Sequence, residues 1–398
     1  MPNRSLTKTL VRDIKKHGDD ALEQLESALK SKNLHWKEID FNAALEDDFG
    51  PNIQSKAMRL GDDAIEAIIT SGTFNKMIPR VIRHALAENP KEQYKMSGLV
   101  PTETKGECED GTEDHGVFSD PVVQEIGELE KPPLFGIATD YMRHPKGRMT
   151  GLSLAFTRES ICRDPNSYIQ KQVPKIADAH NEYKENKILD TLIGYLNTFN
   201  RSGTAYNTYY EAGSVTPFPS GGPWVNAAAN DFRCSDDLQT IRNMFYDHRD
   251  MVHGRPIEMN TDNLTVLTSK QNADRIRPLL LATAVEDLAS CSDGQERKYI
   301  MTAEVANGMT FDLMSYQRFV DRIRLRYGVS ASLAQQWWWT GRIPEFMSWV
   351  SQISPSVTRC PLGAEECQRR IVALYTSVSK GYAYITNQYA GMMLVPTD

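Results

Sequence analysis

The sequence predicts an α+β fold, and three observations lead there. Near the start, apolar residues recur at helical spacing inside highly charged segments, as with Leu22, Leu25 and Leu29. Later, "PKIADAHNEYKENKILDTLIGYLNTF" puts Ile176, Tyr183, Leu189, Leu192, Ile193, Leu196 and Phe199 on one side of a long helix from Pro174 to about Phe199. Between and after these, runs such as "GLSLAFT" alternate apolar with small or polar residues, the period of a strand. No internal repeat interrupts this mixture.

Taken in order, "SLTKTLVRDIKK" and "DDALEQLESALKSK" read as helices, and "DDAIEAIITSG" as a third that stops at Gly72. A fourth lies around "NKMIPRVIRHALAEN". Narrow apolar stripes on such charged helices suit an arm that lies over neighbours. The acidic stretch "KGECEDGTEDHGVFSD" then reads as a loop. After it, Val122–Ile126 and Leu152–Thr157 read as two strands around a polar middle broken by Pro132, Pro133, Pro145 and Gly147. A two-stranded excursion of this length is marginal alone and needs a surface to lie on.

Asp164 followed by Pro165 predicts the start of a short helix, and Pro174 the start of the long one. "EAGSVTPFPSGGP" is a loop. Beyond it come a helix, a turn and a short strand over "DDLQTIRNMFYDHRDMVHGRPIEM", then a strand and helix over "DNLTVLTSKQNADRIRPLLLAT". "KYIMTAEV" reads as a further strand. The final segment predicts two strands about a Lys380-Gly381 turn, then a third from about Tyr389.

Composition narrows the function. At 398 residues, 40% hydrophobic and 24% charged, the chain is long enough for more than one domain. No apolar run is long enough to cross a bilayer, and "MPNRSLTKTLVRDIKKHGDD" lacks a signal peptide's apolar core. The six cysteines are scattered without a CxxC pair, which favours a reducing compartment. A net charge of −7 without a basic stripe argues against a grip on nucleic acid.

Candidate chemical motifs fail one by one. "DHRD" at Asp247–Asp250 lacks the Asn that a kinase catalytic loop needs five residues on, where Arg255 stands, and reads as a surface helix end. "GECEDGT" has phosphate-loop glycine spacing at Gly106 and Gly111, but no Lys follows and its acids repel phosphate. Glu107, Asp110, Glu113, Asp114 and His115 offer oxygen ligands, yet such charge runs are ordinarily solvated. Cys360 and Cys367 have no partner pair for zinc, and no GxSxG elbow occurs. No catalytic constellation, metal or cofactor is expected.

"QQWWWTGRIPEFMSWV" concentrates four of the six tryptophans. Successive side chains diverge in any regular element, so at least one of Trp337, Trp338 and Trp339 points away from its own domain's core. It reaches either a second layer of the same chain or a neighbouring chain. Trp enrichment at interface hot spots favours the neighbour.

The succession of helical arm, strand excursion returning as "GLSLAFTRESICRD" and long amphipathic helix resembles the major capsid proteins of tailed phages, the Hong Kong 97-type fold. Phe156, Thr157, Arg158, Ile161 and Asp164 are similar to that family's approach to its long helix. Glu125, Gly127 and Glu128 resemble its Glu-rich outgoing strand. The likeness covers roughly Asn75 to Asp398, and the three tryptophans match none of its motifs. It implies a helical arm and acidic loop over 1–117, an extended E-loop hairpin over 118–157, and a P-domain with a spine helix over 158–224. An A-domain over 225–345 and a return to the P-domain with the final strands over 346–398 complete the division.

The function implied is a major capsid protein that forms pentamers and hexamers of an icosahedral shell around double-stranded DNA. It would be part of the virion and assemble in the host cytoplasm. The expected partners are copies of itself and loosely held DNA, with portal, scaffold or decoration proteins as further candidates and no membrane. Candidate interface residues are Glu125, Glu128, Lys131, Arg143, Arg148, Trp337, Trp338 and Trp339. The alternatives are an encapsulin-like nanocompartment shell and a soluble enzyme with an unrecognised site.

Overall fold

The structure is a computed structural model that describes residues 4–31, 76–81, 94–107, 113–115, 141–143, 145–157, 168–196, 199–201, 204–211, 224–230, 235–249, 256–257, 261–280, 311–360 and 371–395, with 34, 38, 39, 43, 46, 84, 109 and 259 as single positions. It is mixed helix and sheet, as the sequence predicts.

Helices α1 (Arg4–His17) and α2 (Asp19–Lys30) open the chain. They meet at Gly18, whose φ of +59° lets the backbone reverse where a side chain would be strained. Their stripes, Val11 and Ile14 with Leu22, Leu25 and Leu29, are buried, as are Met77, Ile78 and Val81 in helical residues 76–81. Arg80 reaches back to Glu26 of α2 at 3.3 Å. The stripes expected to serve neighbours are thus already covered within the chain. The helix expected to end at Gly72 lies outside the described residues.

A short helix, α3 (Lys95–Leu99), leads into β1 (Thr102–Thr104). Inside the expected acidic loop, β2 (Glu113–His115) pairs antiparallel with β3 (Tyr141–Arg143). The return of the excursion is β4 (Arg148–Thr157), where predicted; its outgoing strand lies outside the described residues. Next comes α4 (Tyr168–Leu192), a single helix of 25 residues. The expected break at Pro174 is absent, since proline removes one ladder bond and the flanking turns supply the rest. The helix also stops before Phe199, where Gly194 at φ +75° turns the chain out of it. Phe199 begins β5 (Phe199–Arg201), which pairs with β6 (Thr204–Tyr206).

The remaining elements are β7 (Ala227–Ala229), α5 (Ser235–Tyr246), β8 (Leu264–Thr268), α6 (Lys270–Leu280), β9 (Phe311–Ser315), α7 (Gln317–Tyr327), α8 (Ala331–Gln336), β10 (Trp338–Gly341), the single turn α9 (Ile343–Phe346), β11 (Met347–Cys360), β12 (Ile371–Ile385) and β13 (Gly391–Val395). The strand expected over "KYIMTAEV" lies outside the described residues. Three sheets result, in the orders β1-β11-β12-β4, β7-β13-β10-β8-β9 and β2-β3-β5-β6. The segment expected to return to the P-domain therefore divides, with β11 and β12 in the first sheet and β13 in the second.

β12 runs unbroken through Lys380-Gly381, where a turn was expected. Its pairing with β11 extends from Met347 opposite Ile385 to Cys360 opposite Leu374. The glycine serves a different end. A Cβ at Gly381 would stand 2.6 Å from the Val350 carbonyl oxygen and 2.7 Å from the Trp349 ring, so its absence lets that indole lie across the strand.

Two buried carboxylates on α4 fix the layers. Glu185 accepts from the backbone N–H of Met96 at 3.0 Å and of Ser97 at 2.8 Å, and from the Ser97 hydroxyl at 2.6 Å. The Tyr316 hydroxyl donates to Oε1, the oxygen that also accepts from Met96. Five residues on, Asp190 accepts from Arg322 and from Arg326, each guanidinium approaching through Nε and Nη2. Between them, Ile188 and Leu189 enter a core with Phe319, Ile323, Trp339 and Phe346.

Three outcomes are expected. Asp190→Ala leaves two clustered guanidinium groups without their partner and should lower unfolding stability by about 3 kcal/mol in urea denaturation. Gly381→Ala should cost about 2 kcal/mol through overpacking against Trp349. Gly98→Ala, which meets nothing within 4 Å, should instead be neutral or gain about 0.5 kcal/mol in its helix. Equal effects at the two glycines would refute the close approach.

Candidate functional site

The predicted interface residues separate into three groups. Glu125, Glu128 and Lys131 lie outside the described residues. Arg143 sits in β3 opposite Glu113 and Asn200, and Arg148 begins β4, exposed and opposite Gly381. All three consecutive tryptophans are packed inside the chain, with Trp338 and Trp339 at 0% exposure. The expectation that one meets a neighbouring chain is therefore corrected.

The consecutive indoles do point in different directions, and each direction meets core within the chain. β10 is held between β13 and β8, so both faces of that strand meet core. Trp338 joins Ile241, Phe245, Leu264 and Met392 on one face and donates from Nε1 to the Asn230 carbonyl at 3.0 Å. Trp339 joins Leu267, Phe346 and Met393 on the other, with its ring centre 5.3 Å from that of Phe346. Trp337, just before the strand, packs against Tyr327 on the Trp339 side. Trp349 is buried in the same core.

The described surface offers instead an open sheet edge. β4 is the last strand of its sheet, paired with β12 along its length and with no described strand beyond it. Met149 is 62% exposed and Leu152 42%. On the face away from α4, Gly151, Ser153 and Ala155 lie opposite Val378, Thr376 and Leu374, a flat row of small side chains beside larger apolar ones. The Ser153 and Thr376 hydroxyls share a hydrogen bond of 2.9 Å there. An edge without a described partner strand is a template for another strand. A second exposed group stands where α4 and α7 end. Leu325 is 67% exposed, Tyr195 and Tyr327 meet edge to face, and Arg326 lies 4.6 Å from the Tyr195 ring centre. Contiguous apolar surface marks interaction sites more often than isolated residues do.

Among the described residues, no group of three or more His, Cys, Asp or Glu could hold a metal ion. The "DHRD" segment is the surface helix end expected, with Asp247 and Arg249 exposed just past α5, but one residue within it turns inward. His248, just past α5, is buried between Phe245 and Tyr389, and burial pushes its pKa down to about 4. The Tyr316 hydroxyl is pushed well above its usual range by burial and by its bond to Glu185. Both groups hold elements together. Sequence reasoning missed Glu185 and Asp190, although a signal existed: both stand in "EYKENKILD" among the helix's apolar residues. It also missed the exposure of Met149 and Leu152, because alternation names a face without saying what covers it.

No family model and no curated protein matches the chain. Among solved structures, similarity is found to the mature capsid of bacteriophage PhiM1, at 10% identity over 76% of this chain and 87% of that one, with a TM-score of 0.45. The capsid of a native GTA particle gives 11% identity, 77% and 91% coverage and a TM-score of 0.44. A virus-like particle from Pyrococcus furiosus gives 7%, 79% and 97%, and 0.40.

With both indoles fully enclosed, Trp338→Ala and Trp339→Ala should each lower the stability of the isolated subunit by about 4 kcal/mol, cavity included. Thermal melting of the unassembled chain checks this. A variant that melts like the wild type but fails to self-associate would restore the interface role.

Proposed function

We propose that this chain is a major capsid protein of the Hong Kong 97 type, assembling with itself into pentamers and hexamers of an icosahedral shell around double-stranded DNA. The observation that carries the reading is the order of elements in space. β4, the last described strand of its sheet, ends the segment read as an excursion. It is followed by α4, which packs across a sheet of 14- and 15-residue strands, and then by a second sheet into which the last strand returns. That is the order in which the sequence resembles the family.

The surfaces left open give a physical motive for self-association. A sheet edge carrying Met149 and Leu152 and an aromatic group around Leu325 are two different patches. Two different patches joined head to tail generate rings and closed cages. In this reading 118–157 is the E-loop lying on a neighbour, with Glu125, Glu128, Lys131, Arg143 and Arg148 at the contact. The arm is 1–117, the P-domain 158–224 and the A-domain 225–345, with 346–398 completing both. A net charge of −7 leaves packaged DNA loosely held, without sequence preference. The location is the virion, after assembly in the host cytoplasm, where portal, scaffold or decoration proteins would join.

Purified full chain should sediment as large closed particles and show shells of uniform diameter by negative-stain microscopy. Small monodisperse particles at every salt and protein concentration tried would sink the proposal. Nuclease-protected double-stranded DNA in particles from the native source would mark a viral head. Protein cargo in its place would mark a nanocompartment shell.

A further inference from the structure

Where α4 lies across β12, a histidine is buried between them. His180 meets β12 with both ring nitrogens. Its Nδ1 is 3.0 Å from the Ser379 hydroxyl and its Nε2 2.6 Å from the Ser377 hydroxyl. Each serine has a second partner on β4. Ser377 donates to the Leu152 carbonyl at 3.3 Å, and Ser379 shares a hydrogen bond of 2.9 Å with the Thr150 hydroxyl. Thr150 also reaches the Ser379 carbonyl, at 3.3 Å. A continuous chain of polar groups thus runs from α4 through β12 to β4.

Each hydroxyl has one hydrogen to give. Ser377 gives its own to Leu152, so Nε2 carries a hydrogen and donates to Ser377. In the neutral ring Nδ1 is then bare and accepts from Ser379, while Thr150 donates to Ser379. A proton added at Nδ1 reverses the last links. Nδ1 then donates to Ser379, Ser379 to the Thr150 hydroxyl, and Thr150 to the Ser379 carbonyl. Every one of these donors finds an acceptor in both states. Only hydroxyl hydrogens need to turn.

Charge opposes the second state. Around the ring stand Lys184 and Tyr183 on its own helix, Lys380 on β12 and, beside Tyr183, Arg148 on β4. β1 and β11 contribute Thr102, Trp349 and Ser351, which carry no charge. The acids of the same helical turns, Asp178 and Glu182, act on Tyr94, and Glu182 pairs with Arg318 at 3.6 Å. Among the described residues, the charged groups beside the imidazole are therefore cations. Burial holds its pKa below the usual value.

We propose that His180 is a proton-operated catch between α4 and the first sheet, with Ser379 and Thr150 as its hydroxyl relay. The neutral ring joins α4 to β12 without burying a charge. As pH falls below about 6.5, the ordinary imidazole value, the unfolded chain takes up a proton that the folded chain resists. The stability supplied by the catch is whole above that value and declines as pH drops toward the lower folded pKa. Once bound, the proton places another cation beside Lys184 and Lys380 and loosens α4 on its sheet. The relay strands no donor, so the change reverses when the proton leaves. The inference is independent of the shell reading.

The test uses the full chain, assembled or not. Exchange of the imidazole C2 hydrogen for deuterium, read by mass spectrometry in the peptide that holds His180, follows protonation of that one ring. Its midpoint should lie below about 6.5. Thr150→Val leaves the ring's own partners in place but removes the acceptor that the cationic state needs for Ser379. It should lower the midpoint by roughly half a unit to one unit. Ser153→Ala, on the same strand but bonded to Thr376, should leave the midpoint in place. From about pH 7 to about pH 5, the melting temperature should fall further in the wild type than in His180→Gln, which takes up no proton there. A wild-type midpoint at or above the ordinary value overturns the proposal. So does an unmoved midpoint in Thr150→Val, or equal acid sensitivity in His180→Gln. If Thr150→Val does not fold, Ser379→Ala, which removes the cationic ring's own acceptor, should lower the midpoint in its place.

Discussion

Asp190 has no exposed surface and receives both Arg322 and Arg326 in fork geometry. Most of the fold is arranged around that contact. α4 packs on the first sheet through β12, whereas α7 follows directly from β9 of the second. The twin guanidinium clamp therefore joins elements of both sheets at one carboxylate. Glu185 does the same toward α3 and Tyr316, with hydrogen bonds in place of counter-charges. Apolar packing alone would tolerate small sliding of α4 in its groove. Bidentate partners at two depths along the helix admit one position, because a shift in either direction strands a buried charge.

That fixed helix makes the rest intelligible. Ile188, Leu189, Leu192 and Ile193 bring α4 into the same core as Trp337, Trp339 and Trp349. Trp338 occupies a separate core on the far face of β10. The tryptophan cluster is thus a junction between layers: three of its indoles share the core of α4, and one lies on the far side with α5 and α6. Among the described residues, the periphery left open after this packing includes the β4 edge and the ends of α4 and α7.

The fold was legible in the sequence where structure is local. α1, α2, α5, α6, β4 and β8 lie where their periodicity and flanking residues place them. Sequence reading failed where distant chain decides the outcome. Pro174 looks like a helix start until the turns on both sides of it are held in place. Lys380-Gly381 looks like a turn until Trp349, some thirty residues earlier, is seen to need the missing side chain. The three tryptophans look surplus to one core because sequence cannot tell a central strand from an edge. β10 is central only because β8 and β13 come from far up and down the chain. The candidate surface was legible in outline, through the excursion that ends in β4, but its exposed apolar residues were not.

The placement of the last strands has a consequence for synthesis. β12 lies between β11 and β4, and β13 between β7 and β10, so residues 371–395 supply an interior strand to each of two sheets. A growing chain that has not reached them holds β7 and β10 apart with an empty lane between, and leaves β4 without its neighbour. Contacts of such long sequence separation form late, and unpaired strands are exposed until they do. Folding of both sheets is thereby deferred to a common final moment. A truncated product carries two gaps rather than one and presents its edges to degradation, while a chain made through residue 395 closes both together.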